Sequence, residues 1–133
     1  MHDWGSFYDR RPLVIAHRGA SGSAPENTLA AFLAARDAGA DGIELDVTRC
    51  ASGEIVVIHD DTVDRTTDGS GAVSTMPLGA LRELDAGAWF AAEFSGERVP
   101  LLSEVLDAVG GSLRVNVEIK GRKPRNDGIE QEI

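Results

Sequence analysis

Near its start this sequence runs strand, helix, strand within about 30 residues, and that succession limits the fold more than any other feature. Residues 13–16 (LVIA) form a short apolar run, β-branched at its centre, that follows Pro12 and stops at His17-Arg18-Gly19. The run reads as a buried parallel strand ending in a glycine-rich turn. Residues 27–38 (NTLAAFLAARDA) set Leu29, Phe32, Leu33 and Ala35 on one helical face. Asn27 or Thr28 can cap the start of that helix, and Gly39 stands where a terminating glycine belongs. Residues 42–47 (GIELDV) make the second strand. The unit is βαβ, which implies an α/β fold with parallel strands and a right-handed crossover.

Residues 55–59 (IVVIH) follow too closely for another parallel crossover, which needs a dozen or more residues. They are expected to return antiparallel through a hairpin with Ser52-Gly53 near its tip, bringing His59 roughly opposite Leu45, between Glu44 and Asp46. From 60 to 100 the sequence is rich in Thr, Ser, Gly and Asp, with one short helical piece around 78–84. Irregular segments of that length in a compact domain are usually functional or act as lids. Ser103 can cap a helix reaching about Val109, which Gly110-Gly111 ends. Residues 114–120 (RVNVEIK) then alternate, with Asn116, Glu118 and Lys120 on one face and Val115, Val117 and Ile119 on the other. Beyond Gly121 the sequence is polar, and there is no internal repeat.

Ionisable side chains interrupt these apolar strands, which is costly unless the charges are paired or bind a metal. Glu44 and Asp46 lie two apart and project from one face, and Glu118 and Lys120 repeat the arrangement. Read as internal parallel strands with little solvated face, both strands favour a site over a solvated surface. His17 and His59 each end a strand, where side chains reach a cleft. His2 lies in the terminus and carries no role. Three carboxylates without cysteine suit a hard cation, Mg²⁺ or Ca²⁺, better than Zn²⁺. Arg18 and Lys120 beside such a cation would make a local positive patch able to hold phosphate. That patch is local, because the 133 residues carry 22 acidic and 13 basic side chains, a net charge of −9. Such a balance argues against nucleic-acid binding. Hydrophobic residues make up 42% and charged residues 26%, ordinary for one soluble globular domain. No stretch has the roughly 20 apolar residues of a membrane span, and the first residues show no apolar signal core, so a cytoplasmic location is expected. The single cysteine, Cys50, can form neither an internal disulfide nor a zinc-binding pair.

Taken in order and spacing, HRGASGSAPENT (17–28), DGIELDVTR (41–49), IVVIHDDTVDRTT (55–67), LRELDAGAWF (81–90), VPLLSEVL (99–106) and RVNVEIKGR (114–122) resemble the glycerophosphodiester phosphodiesterases. The resemblance implies the N-terminal portion of a TIM (β/α)₈ barrel, with a β-hairpin and an insertion at 60–100 after the second strand. It implies hydrolysis of a small-molecule glycerophosphodiester to sn-glycerol 3-phosphate and an alcohol. The residues matching Glu44, Asp46 and Glu118 would hold a divalent cation, those matching His17 and His59 would serve as general base and general acid, and those matching Arg18 and Lys120 would contact phosphate. A whole barrel takes about 250 residues, so this chain is expected to hold about three barrel strands plus the hairpin. Open barrel edges would then invite self-association into a homo-oligomer. Two other readings are a phospholipase-type phosphodiesterase on a related barrel and a non-catalytic half-barrel that self-associates.

Overall fold

The computed structural model describes residues 11–120 and 128–133. His2 and the polar stretch 121–127 lie outside the described residues. Four strands form one sheet: β1 (Ile15–His17), β2 (Gly42–Arg49), β3 (Ile55–Val57) and β4 (Arg114–Ile119). The central strand is β2, parallel to β1 over Gly42–Glu44 and to β4 over Gly42–Val47, and antiparallel to β3 over Val47–Arg49. Val47 pairs with Val57 on one side and Ile119 on the other, so β1 and β3 lie end to end along one edge of β2 while β4 takes the opposite edge. Their two inner ends meet between Glu44, whose carbonyl accepts from Arg18 N–H at 2.8 Å, and Asp46, whose carbonyl accepts from Ile58 N–H at 3.0 Å.

Helix α1 (Leu29–Asp37) makes the crossover from β1 to β2. Thr28 caps it, its hydroxyl accepting from Ala31 N–H, and Gly39 follows it with φ +84°. Of the expected face Phe32 and Ala35 are buried and Leu29 and Leu33 half-buried; Ala31 is buried too, with Gly19 directly against it, where a Cβ on the glycine would come within 2.7 Å. A short helix α2 (Leu78–Glu83) lies in the long irregular segment, and α3 (Leu102–Val109) precedes β4. Ser103 does not cap α3. The capping position is Leu101, which has no side-chain acceptor; its own N–H donates to the Glu104 carboxylate at 2.8 Å, the reciprocal half of a capping box.

Phe32 and Ala35 of α1, Val105 and Val109 of α3, and Ile43, Leu45 and Val47 of β2 form one core, to which Leu113 and Ile129 add. The segment between β3 and α3 folds over a second core of Val56, Ile58, Val63, Val73, Leu81, Ala86 and Val99, with Cys50 buried in it. Because side chains alternate along β2, Glu44 and Asp46 point away from the helix-covered face.

Two sequence expectations change. Neither β1 nor β4 is an internal strand among the described residues. Each has β2 on one side alone, so Val14 (63% exposed), Ile15 (37%) and Ile119 (39%) meet solvent, and Glu118 is exposed as well. The costly burial of charge therefore applies to β2 and not to β4. In addition β3 stops at Val57, so His59 lies two residues past its end; the ladder ends at Val47–Val57, with Ile58 N–H still donating to the Asp46 carbonyl, and does not extend to the expected pairing of Leu45 with His59. Among the described residues no helix is long and apolar enough to cross a membrane.

Candidate active site

Three strand positions bring Glu44, Asp46 and Glu118 together. Asp46 pairs with Glu118 across the β2–β4 ladder, and Glu44 lies two residues back on the same face. One carboxylate oxygen from each falls within 4.8 Å of the other two. Asp46 is fully buried and Glu44 nearly so, at 8% exposure. Both Glu44 oxygens and Asp46 Oδ1 are buried without a hydrogen bond among the described residues. Burial first, and the neighbouring Asp46 charge second, push the Glu44 carboxyl up to about 7. Glu118 moves the other way, held below its usual range by its bond to Lys120 Nζ at 2.7 Å. Oxygen-only, with Glu44 and Asp46 buried and short of donors and Glu118 open to solvent beside them, the cluster fits a hard divalent cation.

Cationic groups close on this cluster from both sides. Lys120 Nζ lies 3.5 Å from Asp46 Oδ1, and Arg18 Nε lies 3.4 Å from Asp46 Oδ2. Arg18 sits at φ +60° and Asn27 at φ +57°, a left-handed backbone that costs a residue with a Cβ on the order of 1 kcal/mol. The two are joined directly, Asn27 N–H donating to the Arg18 carbonyl at 2.9 Å. This tight loop turns the Asn27 amide inward, where its Nδ2 donates to Asp46 Oδ2 at 3.0 Å.

Each histidine takes its own place around the cluster. His17, at the end of β1 and largely exposed, has Nε2 3.5 Å from Glu44 Oε2. His59 Nδ1 lies 2.7 Å from Asp60 Oδ1. Asp60, brought to about 2 chiefly by Arg65, is an anion able only to accept, so Nδ1 carries the proton and Nε2 is left for other partners. Six of the seven residues singled out in the sequence thus meet at the rim where β1 and β4 end on β2, and His59 is tied to them through Asp60, Arg65, Glu26 and Arg18. In the sequence Glu26, Asp60 and Arg65 stand only as parts of motifs, and Asn27 as a candidate helix cap. Their single sequence signal is a run of polar residues in two loops, and that alone names no partner.

The sequence model of the glycerophosphoryl diester phosphodiesterase family matches residues 17–132, which include every one of these side chains. The chain belongs to that family. The glycerophosphodiester phosphodiesterase of Caldanaerobacter subterraneus subsp. tengcongensis is 51% identical over 124 residues, covering 92% of this chain and 51% of that protein. Glycerophosphodiester phosphodiesterase 1 of Mus musculus is 44% identical over 114 residues, covering 84% of this chain and 34% of that protein. Among solved structures, an Oleispira antarctica phosphodiesterase in complex with the product sn-glycerol-3-phosphate aligns with a TM-score of 0.85 and 41% identity, over 90% of this chain and 48% of that one. The glycerophosphodiester phosphodiesterase of Agrobacterium tumefaciens aligns with a TM-score of 0.82 and 46% identity, over 86% of this chain and 49% of that one. The chain therefore spans about half the length of several of the glycerophosphodiester phosphodiesterases it matches, and its sheet and helices are the N-terminal portion of their TIM barrel.

Proposed function

We propose that this chain carries the metal- and phosphate-binding part of an enzyme that hydrolyses glycerophosphodiesters to sn-glycerol 3-phosphate and an alcohol. The observation that carries the reading is the buried, hydrogen-bond-deficient oxygen cluster of Glu44 and Asp46 next to Glu118 and two cationic side chains. Glu44, Asp46 and Glu118 are the proposed ligands of a divalent cation, Mg²⁺ or Ca²⁺. When bound, such an ion polarises the phosphoryl oxygens and offsets the charge that develops on them. Arg18 and Lys120 hold the phosphate oxygens, and their ion pairs with Asp46 keep both head groups at the rim. His17 takes the proton of the nucleophile as it attacks phosphorus. His59, in its imidazolium form with Nδ1–H held by Asp60, gives its Nε2 proton to the alkoxide as the phosphorus–oxygen bond to the alcohol breaks, and is left as the neutral Nδ1–H ring. The phosphodiesterase of Oleispira antarctica, solved with sn-glycerol-3-phosphate, supports the glycerol phosphate half of the substrate.

Calorimetric titration with Mg²⁺ and Ca²⁺ tests the reading. Glu44→Gln and Glu118→Gln should each abolish binding, since each removes a charged ligand, and unchanged affinity in either would refute the ligand assignment. Released glycerol 3-phosphate, assayed directly, separates this activity from a phospholipase-type reaction. A second use of the fold rests on the exposed Val14, Ile15 and Ile119 along the two outer sheet edges. Those edges would support a homo-oligomer, whether or not the chain is catalytic.

A further inference from the structure

Arg65 touches neither histidine nor the carboxylate cluster, yet it makes four hydrogen bonds to two carboxylates, one of which holds His59 and the other Arg18. Its Nε and Nη2 donate to Asp60 Oδ2 and Oδ1 at 2.9 and 3.0 Å. Its Nη1 and Nη2 donate to Glu26 Oε2 and Oε1 at 3.1 and 2.7 Å. Asp60 Oδ1 in turn receives His59 Nδ1 at 2.7 Å, and Glu26 Oε1 receives Arg18 Nη1 at 3.3 Å. One guanidinium therefore joins the loop after β3 to the loop before α1. The line of contacts runs from His59 through Asp60, Arg65, Glu26 and Arg18 to Asp46.

We infer that Arg65 is a positioning residue, its planar fork locking the Asp60 carboxylate so that His59 keeps its proton on Nδ1 and presents Nε2 to the leaving oxygen. Asp60 could otherwise turn about its terminal torsion, a broad and soft one, and offer His59 either oxygen or none. Two bonds from a rigid fork fix the carboxylate plane, and a lysine, a single point of charge, cannot make both pairs. Glu26 holds the far side of the fork. It spends its other contact on Arg18, so the orientation of the proton donor and that of the proposed phosphate-binding arginine are set by one group. Burial opposes the ionisation of Glu26, but Arg65 and Arg18 outweigh it and hold the acid below its usual range. The inference rests on the proposed role of His59 only for its catalytic meaning. The imidazole geometry stands apart from it.

Long-range proton–nitrogen NMR of the full chain, labelled at histidine, reads the tautomer of the neutral ring directly. The parent should show His59 protonated at Nδ1. Arg65→Lys should move that signal toward a mixture of tautomers while the melting curve and the His17 signal stay as in the parent. Glu26→Gln, which does not touch His59, should move it in the same direction, and it serves equally should Arg65→Lys fail to fold. A His59 signal unmoved in a folded variant of either kind overturns the inference. With glycerophosphocholine as the probe, Arg65→Lys should lower kcat about tenfold, the scale of losing an orienting partner, and change KM much less. His59→Ala separates the two ideas. Hydrolysis that survives His59→Ala removes the proposed acid, and leaves the tautomer result to decide Arg65 alone.

Discussion

Glu44 is the residue at which fold and chemistry pull hardest against each other. Its two oxygens are buried without hydrogen bonds, and burial together with Asp46 raises its carboxyl from 4.5 to about 7. Because the folded value lies above the unfolded one, folding favours the protonated form. The stabilisation is full below the unfolded value and is lost as pH rises through about 7. In chelator, the melting temperature of the parent should therefore fall between pH 5 and pH 8, by an amount on the order of 3 kcal/mol in stability. Glu44→Gln should flatten that fall, and should also lose the rise in melting temperature that Mg²⁺ or Ca²⁺ gives the parent at pH 8. A chelated parent and a chelated variant with the same slope would mean that Glu44 does not carry the strain. At this scale the sequence was informative where parity decides. Glu44, Asp46 and Glu118 could be set on common faces from strand spacing alone, whereas Asn27 and Arg65 act through loop conformations and partners 19 and 39 residues away.

Elements built on periodicity were legible, the Thr28 cap of α1 included, and the segment held by side chains bonding to nearby backbone was not. Helix α1, β2, the hairpin tip and α3 follow from apolar spacing and from glycines at their ends. Between β3 and α3 the chain is ordered by polar groups bonding to nearby backbone, a pattern with no period to read. Asp85 is the clearest case, accepting from Gly87, Ala88 and Gly96 N–H and from the Ser95 hydroxyl, which holds the turn carrying Trp89, Phe90 and Phe94 closed. These backbone donors, Ala88 first, keep its carboxyl well below the usual range. Gly87 stands where that turn closes on itself, and a Cβ there would overlap the Phe94 carbonyl. Gly87→Ala should thus destabilise the protein by about 1–3 kcal/mol in urea unfolding. It should also speed limited proteolysis within 85–97 more than elsewhere. An unfolding midpoint within error of the parent would show that the turn can open without loss to the second core.

At the scale of the molecule, the arrangement around β2 separates what this chain completes from what it leaves open. The helix-facing core is packed by α1 and α3, and the carboxylates of the site come from the central strand and its neighbour β4, while the loops after β1 and β3 bring Arg18, Asn27 and His59. The outer edges of β1 and β4 have no strand beside them among the described residues, and in half the length of its relatives the chain forms only part of their barrel. Unpaired parallel edges flanked by exposed Val14, Ile15 and Ile119 are templates for pairing with another chain. The 133-residue chain should accordingly sediment as a concentration-dependent mixture with species larger than a monomer. Ile15→Lys combined with Ile119→Lys should shift it toward monomer, because a charge at each edge must be desolvated before a strand can pair there. The double variant should bind Mg²⁺ or Ca²⁺ as the parent does if Glu44, Asp46 and Glu118 of one chain suffice. Loss of cation binding together with loss of association would instead mean that the edges of two chains are needed to hold the carboxylates in place, and a parent that stays monomeric at every concentration would remove self-association as a use of these edges.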